Sequence, residues 1–137
     1  MRRITLSLLL AGGTAIGAAS ASAMPLSGPQ LTQRIVNAEF RGSTNTMRGF
    51  ENHIWHFLPD GRVRAVADSQ KIIVRRENYR QEWQDIGAWR IEGDRVCVTF
   101  QGPNQGVSGC YAVEAGFRRE VRMVGPYVWT GTLEAYE

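Results

Sequence analysis

The sequence predicts a mainly β (α+β) domain: an antiparallel meander of about seven or eight short strands that forms a small barrel or a strongly curved sheet, with one short N-terminal helix. Three observations predict it. Short segments alternate apolar and polar residues, tight-turn sequences such as Pro59-Asp60-Gly61 and Gly93-Asp94 separate them, and helical periodicity is confined to the region before residue 40. Because tight turns join neighbouring antiparallel strands, the expected order is up and down.

The N-terminal 23 residues have the features of a secretory signal peptide. Two arginines precede an apolar run from Ile4 to Ala18, and Ala21-Ser22-Ala23 supplies small residues for cleavage. The run contains glycines and falls short of a bilayer span, so no integral membrane span is expected after cleavage. We therefore expect a signal peptide at 1–23 and a single β-rich domain at 24–137, located in the periplasm or secreted.

The charge of the chain argues against nucleic-acid binding. The full sequence has a net charge of +3, from 16 basic and 13 acidic residues. Cleavage removes Arg2 and Arg3, so that 14 basic residues remain against the 13 acidic ones, a balance of +1. A nucleic-acid partner calls for a basic excess that this domain lacks.

A helix of two to three turns is expected between residues 26 and 40. Leu31, Ile35 and Ala38 fall on one face at helical spacing, and Ser27 is placed to cap the first turn. Residues 42–47 would form a polar first strand.

Two hairpins follow, each with its own turn sequence. The first turns at Leu58-Pro59-Asp60-Gly61, which opposes Phe57 to Val63 and Trp55 to Ala65 on one apolar face. The second turns at Gly93-Asp94.

In the second hairpin, Ile91 opposes Val96 and Trp89 opposes Val98, which again gives one apolar face. A disulfide is expected between the two cysteines of the chain, Cys97 and Cys110, because an exported protein meets an oxidising environment.

The register that this bridge imposes places Tyr111 and Val113 on the apolar face of the preceding strands. A final hairpin around Gly125-Pro126 is expected to point five residues inward, while Arg119 sits near a strand end or bulge. The inward residues are Phe117, Val121, Met123, Trp129 and Leu133.

The segment Ser69 to Trp83 permits two interpretations, a strand around residues 72–74 or a short helix around residues 76–81. It also carries the basic cluster, which has one interleaved acid and could bind a partner. The cluster consists of Lys71, Arg75, Arg76 and Arg80. A solvated edge that charge protects from aggregation explains the same residues without a partner.

Four tryptophans are many for a domain of this size, and three of them occupy predicted inward positions. They could line a pocket for a small apolar ligand. The candidate pocket residues are His53, Trp55, Trp89, Tyr111 and Trp129. We favour the alternative that these rings fill a small barrel, whose interior is just wide enough for its own side chains.

No metal site, cofactor or catalytic motif is expected. His53 and His56 are three residues apart, and on a strand they face opposite sides; Glu51 is the only nearby carboxylate on the His53 side. Since no such motif is recognised in the exported domain, we favour a non-catalytic binding or interaction module of the envelope, such as an inhibitor or accessory subunit. Its expected partner is an envelope protein or an anionic surface component. A lipocalin-like carrier of a small apolar ligand is the alternative, and a small periplasmic hydrolase is the second alternative.

A pattern of turn and core residues runs through the middle of the chain: F-x-P-D-G from Phe57, G-x-W-x-I-x-G-D-x-V-C from Gly87 to Cys97, and C-Y-x-V from Cys110. It resembles a group of small exported bacterial β-rich proteins with paired cysteines. The resemblance covers roughly residues 31–113. It implies the fold and carries no activity.

Overall fold

The computed structural model describes residues 24–72 and 78–136. The expected signal peptide lies outside these residues. The described elements are helix α1 (Gly28–Ile35) and strands β1 (Ala38–Thr46), β2 (Gly49–Phe57), β3 (Arg62–Ile72), β4 (Asn78–Glu92), β5 (Arg95–Phe100), β6 (Gly109–Ala115), β7 (Glu120–Val124) and β8 (Val128–Ala135), with a short 3₁₀ turn (Gln105–Val107) before β6. Among the described residues, no helix is both long enough and apolar enough to cross a membrane.

The eight described strands form a closed antiparallel barrel. Each strand pairs with the next along the chain, and β1 also pairs with β8, with Phe40 opposite Leu133. This closure confirms the predicted meander and its barrel form. Because the first strand, β1, pairs with the last strand, β8, neither of these strands has an open edge to which another strand could add.

The predicted hairpin registers are confirmed. Phe57 lies opposite Val63, and Trp89 lies opposite Val98. Gly61 adopts a φ of 92°, which a side chain would disfavour, and its amide donates to the Leu58 carbonyl at 3.1 Å. Turn chemistry and alternation therefore fix both registers locally.

Helix α1 begins as predicted and ends earlier. Ser27 caps it by accepting from the Gln30 amide, and the Gln30 side chain accepts from the Ser27 amide in return. The predicted helical position of Ala38 is wrong. Asn37 turns the chain with a φ of 56°, and Ala38 opens β1 as a buried strand residue.

The predicted inward position of Phe117 is also wrong, since the residue is 72% exposed. It lies in the turn between β6 and β7, where the Glu120 amide donates to the Phe117 carbonyl at 3.1 Å. The turn takes Phe117 out of the strand alternation, and the Arg118 guanidinium covers its ring at 5.1 Å. Arg119 directly precedes β7, near a strand end as predicted.

The segment Ser69 to Trp83, for which the sequence permitted two interpretations, forms β-strand on both sides of residues 73–77. Strand β3 runs to Ile72, and β4 begins at Asn78 and pairs back with Ser69 opposite Gln81. The short-helix interpretation is therefore wrong for residues 78–81. Residues 73–77 lie outside the described part.

The two ends of the barrel differ in composition. We call one the helix end, where α1 and the turns at 58–61, 93–94 and 116–119 lie; the opposite one is the loop end, with the connections at 47–48, 101–108 and 125–127. All five buried polar residues of the described part lie in the loop half: Thr44, Glu51, His53, Ser69 and Asn104.

Candidate functional site at the loop end of the barrel

The middle of the barrel is filled by aromatic rings around Trp55. Its ring centroid lies 5.2 Å from that of Trp129 and 5.5 Å from those of Phe40 and Phe100. Tyr111 completes the group at 6.4 Å. All of these residues are buried, and such centroid distances are those of tilted or edge-to-face aromatic pairs in contact.

A glycine pair makes room for this aromatic layer. Gly42 lies opposite Gly131 across β1 and β8. A Cβ atom on Gly42 would lie 2.2 Å from the Phe40 ring, and one on Gly131 would collide with the Arg41 carbonyl. The absence of a side chain at Gly42 therefore lets the Phe40 ring lie over the strand, and its absence at Gly131 lets the backbones of β1 and β8 approach closely.

Four of the five candidate pocket residues lie together. His53 packs against Trp129 at 4.7 Å and against Trp55 at 5.9 Å between ring centroids, and Trp55 in turn neighbours Tyr111. Trp89 lies apart at the helix end. Its ring contacts Phe57 at 5.9 Å, and its indole donates to the Leu58 carbonyl at 2.8 Å.

His53 is fully buried and uses both ring nitrogens. The Trp55 indole donates to Nδ1 at 3.0 Å, and Nε2 lies 2.8 Å from Glu51 Oε1. Because an indole nitrogen can only donate, Nδ1 must accept, so Nε2 carries the proton toward the carboxylate. The contact with Glu51 follows from the strand alternation that places residues 51 and 53 on the same face.

His56 points to the outside of the barrel, as the strand alternation predicts. Its Nε2 lies 2.9 Å from the Asn37 side-chain oxygen, and its ring stacks on Tyr136 at 3.8 Å. The two histidines therefore do not converge on one metal.

Glu51 is a buried carboxylate held by donors on several sides. Thr46 donates to Oε2 at 2.7 Å, and Arg48 Nε donates to the same oxygen at 2.8 Å. Burial alone would raise the pKa of Glu51, but the hydrogen bonds from His53, Thr46 and Arg48 and the Arg48 charge outweigh it, so the pKa lies below its ordinary value. The group is held in its ionised form.

Arg48 connects two parts of the loop end. While its Nε bonds Glu51, its Nη1 donates to the Pro103 carbonyl at 3.0 Å, and its guanidinium lies 4.4 Å above the Trp83 ring. The side chain is 42% exposed. It thus fastens the loop at 101–108 to the turn between β1 and β2, across the end of the barrel.

Asn104 lies beneath this contact and is fully buried. Its side-chain oxygen accepts from the Trp83 indole at 2.5 Å, and its backbone N–H donates to the Asp85 carboxylate at 2.8 Å. Its Nδ2 group has no partner among the described residues. Because the Trp83 indole can only donate, the amide orientation is fixed and Nδ2 is left as a buried donor.

A second buried donor lies nearby in Trp129. Its Nε1 is close to the Tyr111 hydroxyl but forms no hydrogen bond with regular geometry among the described residues. The Tyr111 hydroxyl itself donates to the Val107 carbonyl at 2.9 Å, and burial raises the pKa of Tyr111 to about 12. Within the described part of the chain, these two buried N–H groups at the loop end therefore have no regularly placed acceptor.

The expected disulfide is present on the barrel wall. Cys97 and Cys110 lie directly opposite each other on β5 and β6 and are bonded. A Glu92 carboxylate oxygen and the two sulfurs lie within 4.8 Å of one another. Since the sulfurs are bonded to each other, they provide no thiolate for a metal.

The structure describes the backbone position of two of the four residues of the basic cluster. Lys71 lies near the end of β3 and Arg80 near the start of β4, at the loop end. Arg75 and Arg76 lie outside the described residues.

Sequence reasoning missed Arg48, Asp85 and Asn104. Counting back by twos from Trp89 along β4 reaches Asp85 and Trp83, so the alternation could have found Asp85. Arg48 and Asn104 lie in connections, where no periodicity exists.

Comparison with protein-family models, with curated proteins and with solved structures gave no match. The resemblance to small exported β-rich proteins therefore stays a prediction.

Proposed function

We propose that the chain is exported to the periplasm or beyond the cell and is a non-catalytic binding module of the envelope, an inhibitor or accessory subunit of a larger partner. One observation carries this proposal: the barrel is filled by its own aromatic side chains, with Trp55 and Trp129 5.2 Å apart. A filled barrel is a rigid scaffold, so recognition falls to its outer surface and ends. The Cys97–Cys110 disulfide suits an oxidising compartment.

The contacts of His53 support a binding module over a hydrolase. A general base needs an atom within reach of the proton that it removes. His53 is 1% exposed, and both of its nitrogens are engaged by Trp55 and Glu51. This supports a structural role for the best catalytic candidate in the sequence.

The same aromatic layer favours a binding module over a lipocalin-like carrier. A carrier of the predicted kind needs space between Trp55, Trp89 and Trp129. Trp55 and Trp129 are in contact, and Trp89 lies at the helix end beside Phe57. An apolar ligand would have to displace these rings.

The partner is proposed to be an envelope protein or an anionic surface component. Between residues 71 and 80 the chain has four basic residues and one acid, and the described flanks of this segment lie at the loop end. Charge of one sign at one place attracts an oppositely charged partner. The basic residues are Lys71, Arg75, Arg76 and Arg80.

Affinity capture tests the proposal. Residues 24–137 are immobilised and exposed to envelope extract, and retained proteins, lipids and small molecules are identified by mass spectrometry. The triple variant Arg75→Gln/Arg76→Gln/Arg80→Gln should lose the retained partner. The matched variant Arg64→Gln/Arg95→Gln/Arg118→Gln removes the same charge elsewhere and should keep it.

Each result decides between the candidates. Unchanged capture by the first triple variant would refute the assignment of the basic cluster. A stoichiometric apolar small molecule that co-purifies with the chain would instead establish the carrier, and hydrolysis of an envelope component that depends on His53 would establish the hydrolase.

A further inference from the structure

The connection between β5 and β6, residues 101–108, forms a strap across the loop end of the barrel. Two of its residues, Asn104 and Val107, are fully buried. The Tyr111 hydroxyl donates to the Val107 carbonyl at 2.9 Å, and the Trp83 indole donates to the Asn104 side chain. The strap therefore covers polar and aromatic side chains at this end.

The base of the strap is fixed by strand pairing and by the disulfide. Val98 and Gly109 are the last residues of β5 and β6 to pair with each other, and Cys97 and Cys110 are bonded one residue farther from the strap. Phe100 still pairs with β4. A movement of residues 101–108 can therefore occur without separating the strands.

Two carboxylates from different strands anchor the strap, and the first is Asp85 on β4. Its Oδ2 accepts from the backbone N–H of Asn104 and its Oδ1 from that of Ile86, each at 2.8 Å. The strap passes so close that a Cβ atom on Gly102 would lie 2.8 Å from Asp85 Oδ1. Both oxygens of this carboxylate are thus occupied as acceptors.

The second anchor, Glu51 on β2, holds the strap through Arg48. Its Oε2 accepts from Thr46 and Arg48 Nε, and its Oε1 accepts from His53 Nε2 at 2.8 Å and Arg48 Nη2 at 3.3 Å. The remaining guanidinium nitrogen, Nη1, donates to the Pro103 carbonyl of the strap at 3.0 Å. Since every oxygen of both anchors accepts hydrogen bonds, a proton added to either carboxylate displaces a donor.

The strap itself contains no acidic or basic residue, so any response to acid must come from the groups around it. Arg48 and His53 contact Glu51 directly. Tyr111 contacts the strap, but burial raises its pKa to about 12, which keeps it neutral in acid. Four further titratable residues lie along the neighbouring strands β3 and β4: Asp68, Lys71, Arg80 and Glu82.

We infer that acid releases the strap from the end of the barrel while the strands stay paired, so that the loop end is closed at neutral pH and open in acid. Protonation of Asp85 displaces a backbone N–H that it holds, and protonation of Glu51 displaces Arg48, which then no longer holds Pro103. Asn104 Nδ2 favours release, because within residues 24–72 and 78–136 this buried donor has no regular acceptor. A buried donor without an acceptor costs free energy that exposure to solvent recovers.

The direction of the response to pH follows from Glu51. Burial would raise the pKa of this carboxyl, but the hydrogen bonds from His53, Thr46 and Arg48 lower it below its ordinary value of 4.5. The stabilisation of the closed form is therefore complete above that pH and is lost as the pH falls through the lowered pKa.

Amide hydrogen exchange followed by NMR tests the inference on residues 24–137. Protection factors, corrected for the intrinsic exchange rate at each pH, are recorded from neutral pH down to about pH 3. We expect the Asn104 and Val107 amides of the strap to lose protection about tenfold in acid. The Leu31 amide of α1, which donates to the Ser27 carbonyl at 2.8 Å, should keep its protection.

Two variants separate the anchors from general effects of acid. Arg48→Met removes the link between Glu51 and Pro103 at a side chain that is 42% exposed. It should lower the protection of the strap about tenfold already at neutral pH. Glu51→Gln/Asp85→Asn removes both titrating anchors and should abolish the acid response.

Arg90→Met/Glu92→Gln is the matched control, because it removes an exposed ion pair with a distance of 2.6 Å between Arg90 Nε and Glu92 Oε2. Its strap should respond to acid as that of the parent does. Equal losses of protection at Leu31 and Asn104 in acid would mean that the whole barrel opens, which overturns the inference. Unchanged strap protection in Arg48→Met, or an acid response that survives in the double carboxylate variant, would overturn it as well. None of these measurements involves a partner, so their failure leaves the proposed function standing.

Discussion

The helix end and the loop end of the barrel are closed by opposite means. At the helix end, Leu31 and Ile35 insert their side chains from α1 and are fully buried. At the loop end, Arg48 spans from Glu51 to Pro103 through hydrogen bonds, over a layer that includes Asn104. The first closure depends on apolar area, which is insensitive to pH, and the second depends on an ionised carboxylate. The two ends should therefore respond differently to substitution and to acid.

The largest expected effect is at the helix end. Phe57→Ala removes a fully buried ring that packs against Trp55 and Trp89, and it should lower the free energy of unfolding by about 4 kcal/mol. Urea unfolding followed by circular dichroism measures this. Phe50→Ala is the matched control, because it removes the same ring where it is half-exposed and should cost less than about 1 kcal/mol. Equal costs would show that the helix end is not the apolar anchor of the barrel.

At the loop end, Glu51→Gln should cost about 3 kcal/mol at neutral pH. The substitution replaces one of the two acceptor oxygens of Glu51 by a donor group, and it removes the negative charge that faces Arg48. The pKa of Glu51 is lower in the folded state than its ordinary value of 4.5, so its stabilisation is complete above that pH and is lost as the pH falls through the folded-state pKa. The gap between the parent and the variant should therefore narrow in acid.

Urea unfolding at a series of pH values checks this dependence. Glu92→Gln is the control, since Glu92 pairs with Arg90 on the surface with 55% of its side chain exposed. That variant should lie within about 1 kcal/mol of the parent at neutral pH. A constant gap between Glu51→Gln and the parent would mean that Glu51 does not stabilise the loop end by its charge.

The sequence predicted the hairpins well because their information is local. Alternation and the Gly61 turn decide which face Phe57 and Val63 share, and both lie within a few residues of each other. Ala38 and Phe117 were misplaced because each continues a periodic pattern across a point where the backbone turns: Asn37 at one end of α1, and Arg118 between β6 and β7, both with positive φ.

The loop-end network was harder to predict, for a different reason. Glu51 and His53 follow from strand alternation, so their contact was accessible from the sequence. Arg48 meets Pro103 across 55 residues, and Asn104 meets Trp83 across 21. Such contacts depend on barrel closure, and neither Arg48 nor Asn104 lies in a periodic element that would reveal its direction.

Two buried tryptophans at the loop end differ in whether their indole N–H group has an acceptor, so their substitution by phenylalanine can be compared directly. Trp55→Phe and Trp129→Phe remove the same atoms from buried positions. The Trp55 indole donates to His53, whereas the Trp129 indole has no regular partner among residues 24–72 and 78–136. Losing the first leaves His53 Nδ1 unsatisfied, and losing the second removes a buried donor that costs stability. Trp55→Phe should therefore be the more destabilising by about 2 kcal/mol. Equal losses in urea unfolding would indicate that the Trp129 indole is satisfied, for example by water.

The smallest expected loss of stability comes from the N-terminal cap of α1, at the helix end of the barrel. Ser27→Ala removes the acceptor of the Gln30 amide and should cost about 1 kcal/mol. Gln30→Ala removes the reciprocal bond to the Ser27 amide and serves as a second test of the same cap. Because neither side chain titrates, both costs should be the same in acid as at neutral pH, unlike that of Glu51→Gln. A cap whose cost changed with pH would couple α1 to the carboxylate at the opposite end, and the two closures would then no longer be independent.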